Sequence, residues 1–296
     1  MAILKADHLT KTYGSFTALD NFSLSLDQGQ AYGILGPNGS GKTTALSIIL
    51  GLRNADSGQV SWFDQPPDHR LRRHIGSSLE SPSFLPGLSG LQNLKLSADI
   101  KAVAHQEVDR VLQQVGLSNY KNRKFQQYSM GMKQRLSIAA AMLGNPQILV
   151  LDEPTNGLDP QGIYEVREII LDLSNQGKTI LMASHILSEV ERICTHTIIL
   201  NQGRTIHDGP TDRVLVRKPT LEIAAANLDQ LYNFLENEPE IDDLTRNDNM
   251  ITASISDDFD LAEFNKKLIS AGIAPNHLAR KKPTLEDQFI ELIREQ

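Results

Sequence analysis

The 296-residue chain has one cysteine, no long apolar run and no surplus of positive charge. A single cysteine, Cys194, leaves no internal disulfide, which argues for a reducing compartment. No stretch approaches the roughly 18–20 apolar residues that a membrane-spanning helix needs. The opening MAILKADHLTKTYG alternates and carries charge early, so no signal peptide is expected. These absences point to a cytoplasmic protein. Hydrophobic residues make up 40% and charged residues 22%, which excludes disordered and low-complexity classes. Residues 1–217 hold 21 Lys+Arg against 20 Asp+Glu, whereas residues 218–296 hold 8 against 16. The acidic surplus therefore sits in the last quarter, and nucleic acid is not an expected partner.

Residues 1–9 and 22–26 alternate as half-buried strands do. AYGILG, residues 31–36, is a short apolar run stopped by Gly36, Pro37, Asn38 and Gly39. From Lys42 the pattern becomes helical and ends at Gly51. Apolar strands are expected at 148–151, 179–183 and 197–200, with helical periodicity around 160–175 and 186–193 between them. That alternation implies a parallel sheet covered on both faces. The texture changes near Pro219. Strands at 220–226 and 250–255 and helices at 228–237, 260–271 and 284–293 suggest a small acidic α+β domain over 219–296, after a larger domain over 1–215.

GPNGSGKT, residues 36–43, fits G-x-x-x-x-G-K-[ST] and has the required strand before it and helix after it. In such a loop Gly36, Pro37, Asn38, Gly39, Ser40 and Gly41 turn backbone N–H groups into one concavity. The following helix, from Lys42 through Thr43 and Thr44, adds its positive end. Lys42 is expected to reach the β- and γ-phosphates of a nucleotide, and the Thr43 hydroxyl to ligate Mg²⁺. ILVLDEP supplies acid at a buried strand's end: Asp152 to hold Mg²⁺ through water, Glu153 to polarise an attacking water as general base.

YSMGMKQRLSIAAAML, residues 128–143, resembles the signature segment of ATP-binding cassette (ABC) ATPases, usually LSGGQ followed by QQR. Other landmarks of that family follow in order over residues 1–210. Tyr13 matches the aromatic that stacks on adenine. Asn156-Gly157-Leu158-Asp159 matches the D-loop that crosses a dimer, and His185 the switch histidine at the γ-phosphate. The resemblance implies a P-loop α/β fold with a mostly parallel core and an antiparallel N-terminal β subdomain. It also implies ATP and Mg²⁺ as cofactors and ATPase activity. Ser129 is a good N-cap and Gly131 leaves its amide unobstructed, so the helix start is an anion site. In this fold it is expected to face a partner's ATP. Two composite sites then form head to tail, each from Lys42, Asp152 and Glu153 of one chain and Ser129 and Gly131 of the other.

Three positions depart from the family pattern. Met130 and Met132 stand where Gly and Gln are usual, so the polar contacts of that Gln are lost. Glu80 stands where the Q-loop glutamine does; it could ligate the metal, and Glu80→Gln is expected to preserve nucleotide binding while changing coupling to a partner. Glu80, the SPSFLPGLSGLQNL stretch and SMGMKQRL together resemble one branch, the ATPase subunits of bacterial drug, bacitracin and lantibiotic exporters with separate permeases. The expected protein is a transporter ATPase, dimeric with a second nucleotide-binding chain and held at the inner face of the membrane by an integral permease. The alternative is an ABC ATPase working without a permease, in a soluble mechanochemical or scaffold role. Trp62, Phe63 and Phe84 are expected in the core or against the permease. Arg70, Arg72 and Arg73 beside His74 are expected in a solvated loop. His196 and His207 lie far from any Cys or His cluster, so no transition-metal site is expected.

Overall fold

A computed structural model describes residues 2–79, 84–214 and 219–281, with backbone alone at 213–214. Glu80 and the helix expected at 284–293 lie outside the described residues. The chain divides into two compact units, Met1–Val214 and Leu215–Gln296.

The first unit opens with β1 (Ala2–Tyr13), β2 (Phe16–Asp27), β3 (Ala31–Leu35), α1 (Lys42–Ile49), β4 (Ser57–Trp62) and β5 (Ile75–Ser78). The helices α2 (Gly90–Ile100), α3 (Gln106–Gln114) and α4 (Met130–Met142) follow. It closes with β6 (Ile148–Asp152), α5 (Pro160–Asn175), β7 (Thr179–Ser184), α6 (Leu187–Ile193), β8 (His196–Asn201), β9 (Arg204–Pro210) and α7 (Thr211–Val214).

Among the described residues the central sheet runs β5-β6-β7-β3-β8-β9, parallel except for the β8–β9 pair. Every residue of β3, β6 and β7 is buried, the pattern of strands covered on both faces. One face packs on α1 and on the antiparallel sheet β2-β1-β4, through Phe22, Leu26, Leu46, Ile49, Trp62, Val150 and Leu181. Helices α4, α5 and α6 lie against strands of the same sheet. A Cβ on Gly33 would strike the side chains of Val190 and Cys194, so glycine is what lets α6 lie directly on β3. Trp62, expected in the core or at the permease, is fully buried and donates its Nε1 hydrogen to Ile49 O at 2.9 Å.

Helix starts are fixed by local chemistry. Ser89 and Gln92 form a capping box on α2, and Asp159 caps α5 with Pro160 in its first turn. Ser129 caps α4 as expected, its Oγ accepting from Met132 N at 3.2 Å.

The second unit comprises β10 (Thr220–Ala225), α8 (Leu228–Leu235), β11 (Ile241–Arg246), β12 (Ile251–Ile255), α9 (Leu261–Ser270) and β13 (Pro275–Lys281). Its antiparallel sheet runs β11-β12-β10-β13, the β-α-β-β-α-β arrangement of ferredoxin-like units. Leu221, Ile223, Ile251, Leu231, Leu235, Phe264 and Leu268 form its core.

Candidate active site

The loop between β3 and α1 is shaped by glycines that nothing larger could replace. A Cβ on Gly36 would collide with Leu200 O and Ser40 Oγ. Gly41, at φ 109°, sits where a Cβ would meet Ala18 O. α1 therefore begins at Lys42 with its first amides open to the cleft. Lys42 is buried, and its ammonium donates to Gly36 O at 2.8 Å and Pro37 O at 3.2 Å.

The parallel order β6-β7-β3 brings the acidic strand end to this loop. Thr43 Oγ1 donates to Asp152 Oδ2 at 2.9 Å. Glu153 follows in left-handed backbone, at φ 48°, anchored by its N–H on Ala183 O at 2.9 Å. A non-glycine residue held there stores strain of order 1 kcal/mol or more, a feature that concentrates at functional sites. Glu153 Oε1 lies 3.4 Å from Lys42 Nζ, and Oε2 lies 2.7 Å from His185 Nδ1. The His185 backbone N–H also donates to Glu153 Oε2, at 3.3 Å. Lysine, carboxylate and imidazole thus form one chain of contacts across three strands' ends.

A cleft of about 240 Å³ is lined by Tyr13, Asn38, Gly39, Gly41, Lys42, Thr43, Thr44 and Glu153, together with Phe16 and Ala18. Phe16 and Ala18 were not anticipated from sequence. Tyr13 and Phe16 are directly paired at the turn of the β1–β2 hairpin and are both exposed. Lys11 Nζ lies 5.7 Å and the Arg53 guanidinium 5.9 Å from the Tyr13 ring centre, and Arg53 Nη1 donates to Tyr13 Oη at 3.3 Å. Asp56 binds Lys11 at 2.6 Å and the Thr12 N–H and hydroxyl at 2.7 and 2.8 Å. Those bonds hold its carboxyl at about 2, below the usual carboxylate range.

Ser129, Gly131 and Asp159 are not among the residues lining that cleft. They belong to a second place on the same unit. A Cβ on Gly131 would lie 3.7 Å from Gly162 Cα, in the first turn of α5, and Asp159 Oδ1 accepts from Gly162 N at 3.0 Å. Ser129 and Met130 are exposed, whereas Met132 is buried. Of the two methionine departures, therefore, only Met130 alters the surface there.

The ABC transporter family profile matches residues 19–156. The bacitracin transport ATP-binding protein BcrA of Bacillus licheniformis is 36% identical over 297 residues, spanning 98% of this chain and 97% of that one. The lantibiotic transport ATP-binding protein SrtF of Streptococcus pyogenes is 38% identical over 231 residues, 78% of this chain and 96% of that one. Among solved structures, the dimeric post-hydrolysis state of an ATP-binding cassette bound to ADP and Pi superposes with TM-score 0.63. It is 28% identical and covers 70% of this chain and 98% of that one. The chain belongs to the ABC transporter ATP-binding family. It is an ATP-binding, ATP-hydrolysing transporter subunit. Among the described residues no helix is long and apolar enough to cross a membrane.

Proposed function

We propose that two copies of this chain close head to tail on two ATP molecules and drive an integral permease that exports a peptide antibiotic or drug. Residues 1–215 form the nucleotide-binding domain and residues 219–296 an acidic accessory domain on this reading. The export substrate class is suggested by the full-length similarity to a bacitracin transport protein and the similarity to a lantibiotic transport protein. The subunit would then sit at the inner face of the membrane, attached through the permease.

The single observation carrying the composite site is the separation of its two halves. Lys42, Thr43 and Glu153 line the cleft, while Ser129, Gly131 and Asp159 gather at the facing starts of α4 and α5, outside it. A capped helix start with an exposed hydroxyl is an anion site, and a second chain supplies the anion.

Within the cleft the chemistry follows from the contacts. Lys42 holds the loop carbonyls and Glu153, and an arriving triphosphate exchanges those partners for its β- and γ-oxygens. That exchange releases Glu153 Oε1 to accept a proton from the attacking water, while His185 holds Oε2 and stands at the γ-phosphate. Tyr13, with Phe16 beside it, offers a ring for the adenine. The family implies Mg²⁺, and the donors present fit it: a hydroxyl and a carboxylate oxygen, Thr43 and Asp152, already in contact at 2.9 Å. Hard oxygen ligands in that number suit Mg²⁺, which takes its remaining positions from phosphate and water. Bound there it would neutralise charge between the β- and γ-phosphates. Glu80 is proposed as a further ligand from sequence alone.

The test traps tagged Glu153→Gln chain with ATP and purifies it from detergent-solubilised native membranes. A polytopic membrane protein in stoichiometric amount is expected. A clean soluble dimer, or ribosomes in its place, would overturn transport and leave the ATPase chemistry standing.

A further inference from the structure

A cavity of about 660 Å³ opens at the start of β5, its lining including His69, Arg72, Arg73, His74 and Lys101. None of its lining residues is an aspartate or glutamate. Ile75, Ile100 and Leu143 add an apolar part to the lining, and Ile100 is 79% exposed. The volume lies within the roughly 300–1,000 Å³ usual for small-molecule sites. The cavity shares no residue with the nucleotide cleft. β5 runs parallel to β6, with Ile75 beside Ile148 and Ser78 beside Leu151. The phosphate loop and Asp152 lie off the carboxyl ends of this sheet, so the cavity is at the other end.

Among the described residues Arg72, Arg73 and Lys101 make no ion pair with a carboxylate, while His69 contacts Asp68. Lys101 donates to Ala140 O at 2.7 Å and Ala141 O at 3.4 Å. It thereby offsets the negative end of α4, which would otherwise repel an anion. Arg72 gives one N–H to Gly51 O at 3.3 Å. Arg73 has no ion pair or hydrogen bond to any described residue. Two adjacent guanidinium forks, free of carboxylates, match tetrahedral phosphate oxygens better than a point charge does.

We propose that this cavity binds a phosphate-bearing ligand with an apolar portion, at a site separate from the ATP cleft. Two sources carry that chemistry, a soluble phosphorylated metabolite and a phospholipid headgroup. The proposal does not depend on the export reading.

The experiment uses the full chain carrying Lys42→Ala, so that the phosphate loop does not compete for the probe. Inorganic pyrophosphate is titrated by calorimetry, and flotation is measured with phosphatidylglycerol and phosphatidylcholine vesicles. Each is repeated with Arg72→Glu/Arg73→Glu added, with Arg73→Gln alone, and with a charge-matched Lys266→Glu/Lys267→Glu control. Arg73→Gln leaves every described contact intact and guards against misfolding of the double variant.

Weakening of at least tenfold in the arginine variants, but not in the control, is expected. Pyrophosphate binding that is lost this way identifies a soluble phosphate. Phosphatidylglycerol flotation lost this way, with no pyrophosphate binding, identifies a headgroup. Binding of both probes that is indifferent to Arg72 and Arg73, or no binding of either, overturns the proposal.

Discussion

The nucleotide cleft and the start of α4 are built on opposite plans. In the cleft every charged group is answered within the chain: Lys42 by two carbonyls and Glu153, Glu153 by His185, Thr43 by Asp152. At the start of α4, the Ser129 side chain makes one capping bond, and a Cβ on Gly131 would meet only Gly162 Cα, at 3.7 Å, outside its own helix. The first region holds its own charges, which on the proposed reading a triphosphate would take over. The second, on the proposed reading, is a surface that meets the nucleotide of another chain. On the proposed reading the contrast explains why a single folded unit would carry Lys42, Asp152 and Glu153 and still call for a second copy.

The largest expected effect is at the self-contained end. Glu153→Gln should lower phosphate release by about 10²–10⁴, the usual weight of a general base, with nucleotide binding retained. Turnover close to that of the parent chain would remove Glu153 from the role of base.

The next test joins the two regions. Lys42→Ala and Ser129→Glu chains should each be inactive alone, because every composite site carries one lesion. Mixed, they should recover activity up to roughly a quarter of the parent's, since random pairing in a two-fold dimer leaves one intact site in half the dimers. No recovery would mean that Ser129 serves its own chain's cleft.

The smallest effect is also the most selective. Gly131 has ordinary space around a Cβ inside its own chain. Gly131→Ala should hold or raise stability, by up to about 1 kcal/mol as glycine-to-alanine changes in helices do. ATP turnover should nonetheless fall several-fold, because the added methyl meets a neighbouring chain's nucleotide. Melting temperature and steady-state ATPase measured together decide it: a fall in both would make Gly131 a folding residue.

Much of this protein was legible before any fold was known. The apolar run ending in GPNGSGKT, the helix stopping at Gly51, the acid after ILVL and the serine cap at 129 each show as a short pattern of residue types within a few positions. Two of the segments that escaped notice are of another kind. β11 reads IDDLTR, is mostly exposed and carries a bulge between Asp242 and Thr245. β9 reads RTIHDGP and is an antiparallel edge added to a parallel sheet. Neither needs alternating apolar residues, because at most one of its faces is covered. β1 and β2 also run past their apolar stretches. Their ladder continues through polar residues to the Tyr13–Phe16 pair, which is how Phe16 reaches a cleft that its position in sequence does not suggest.

Sequence alone determined the groups that chemistry requires and the local turns that hold them: the glycine loop, Lys42 at a helix start, Asp152 and Glu153 at a strand end, Ser129 and Asp159 as caps. The caps at 129 and 159 are settled by hydrogen bonds spanning three residues, and the glycine loop and the strand-end acids are marked by residue type and spacing, so all of these survive translation into one dimension. Only the tertiary structure decided which of them meet. Strands far apart in the chain lie side by side as β6-β7-β3, and that pairing sets His185 on Glu153 and Glu153 on Lys42. The same packing turns Met132 inward and leaves Met130 out, and brings Gly131 to Gly162. It also gathers Arg72, Arg73 and Lys101, nearly thirty positions apart in sequence, around one cavity. Proximity across a sheet depends on strand order, and strand order is a property of the whole buried core.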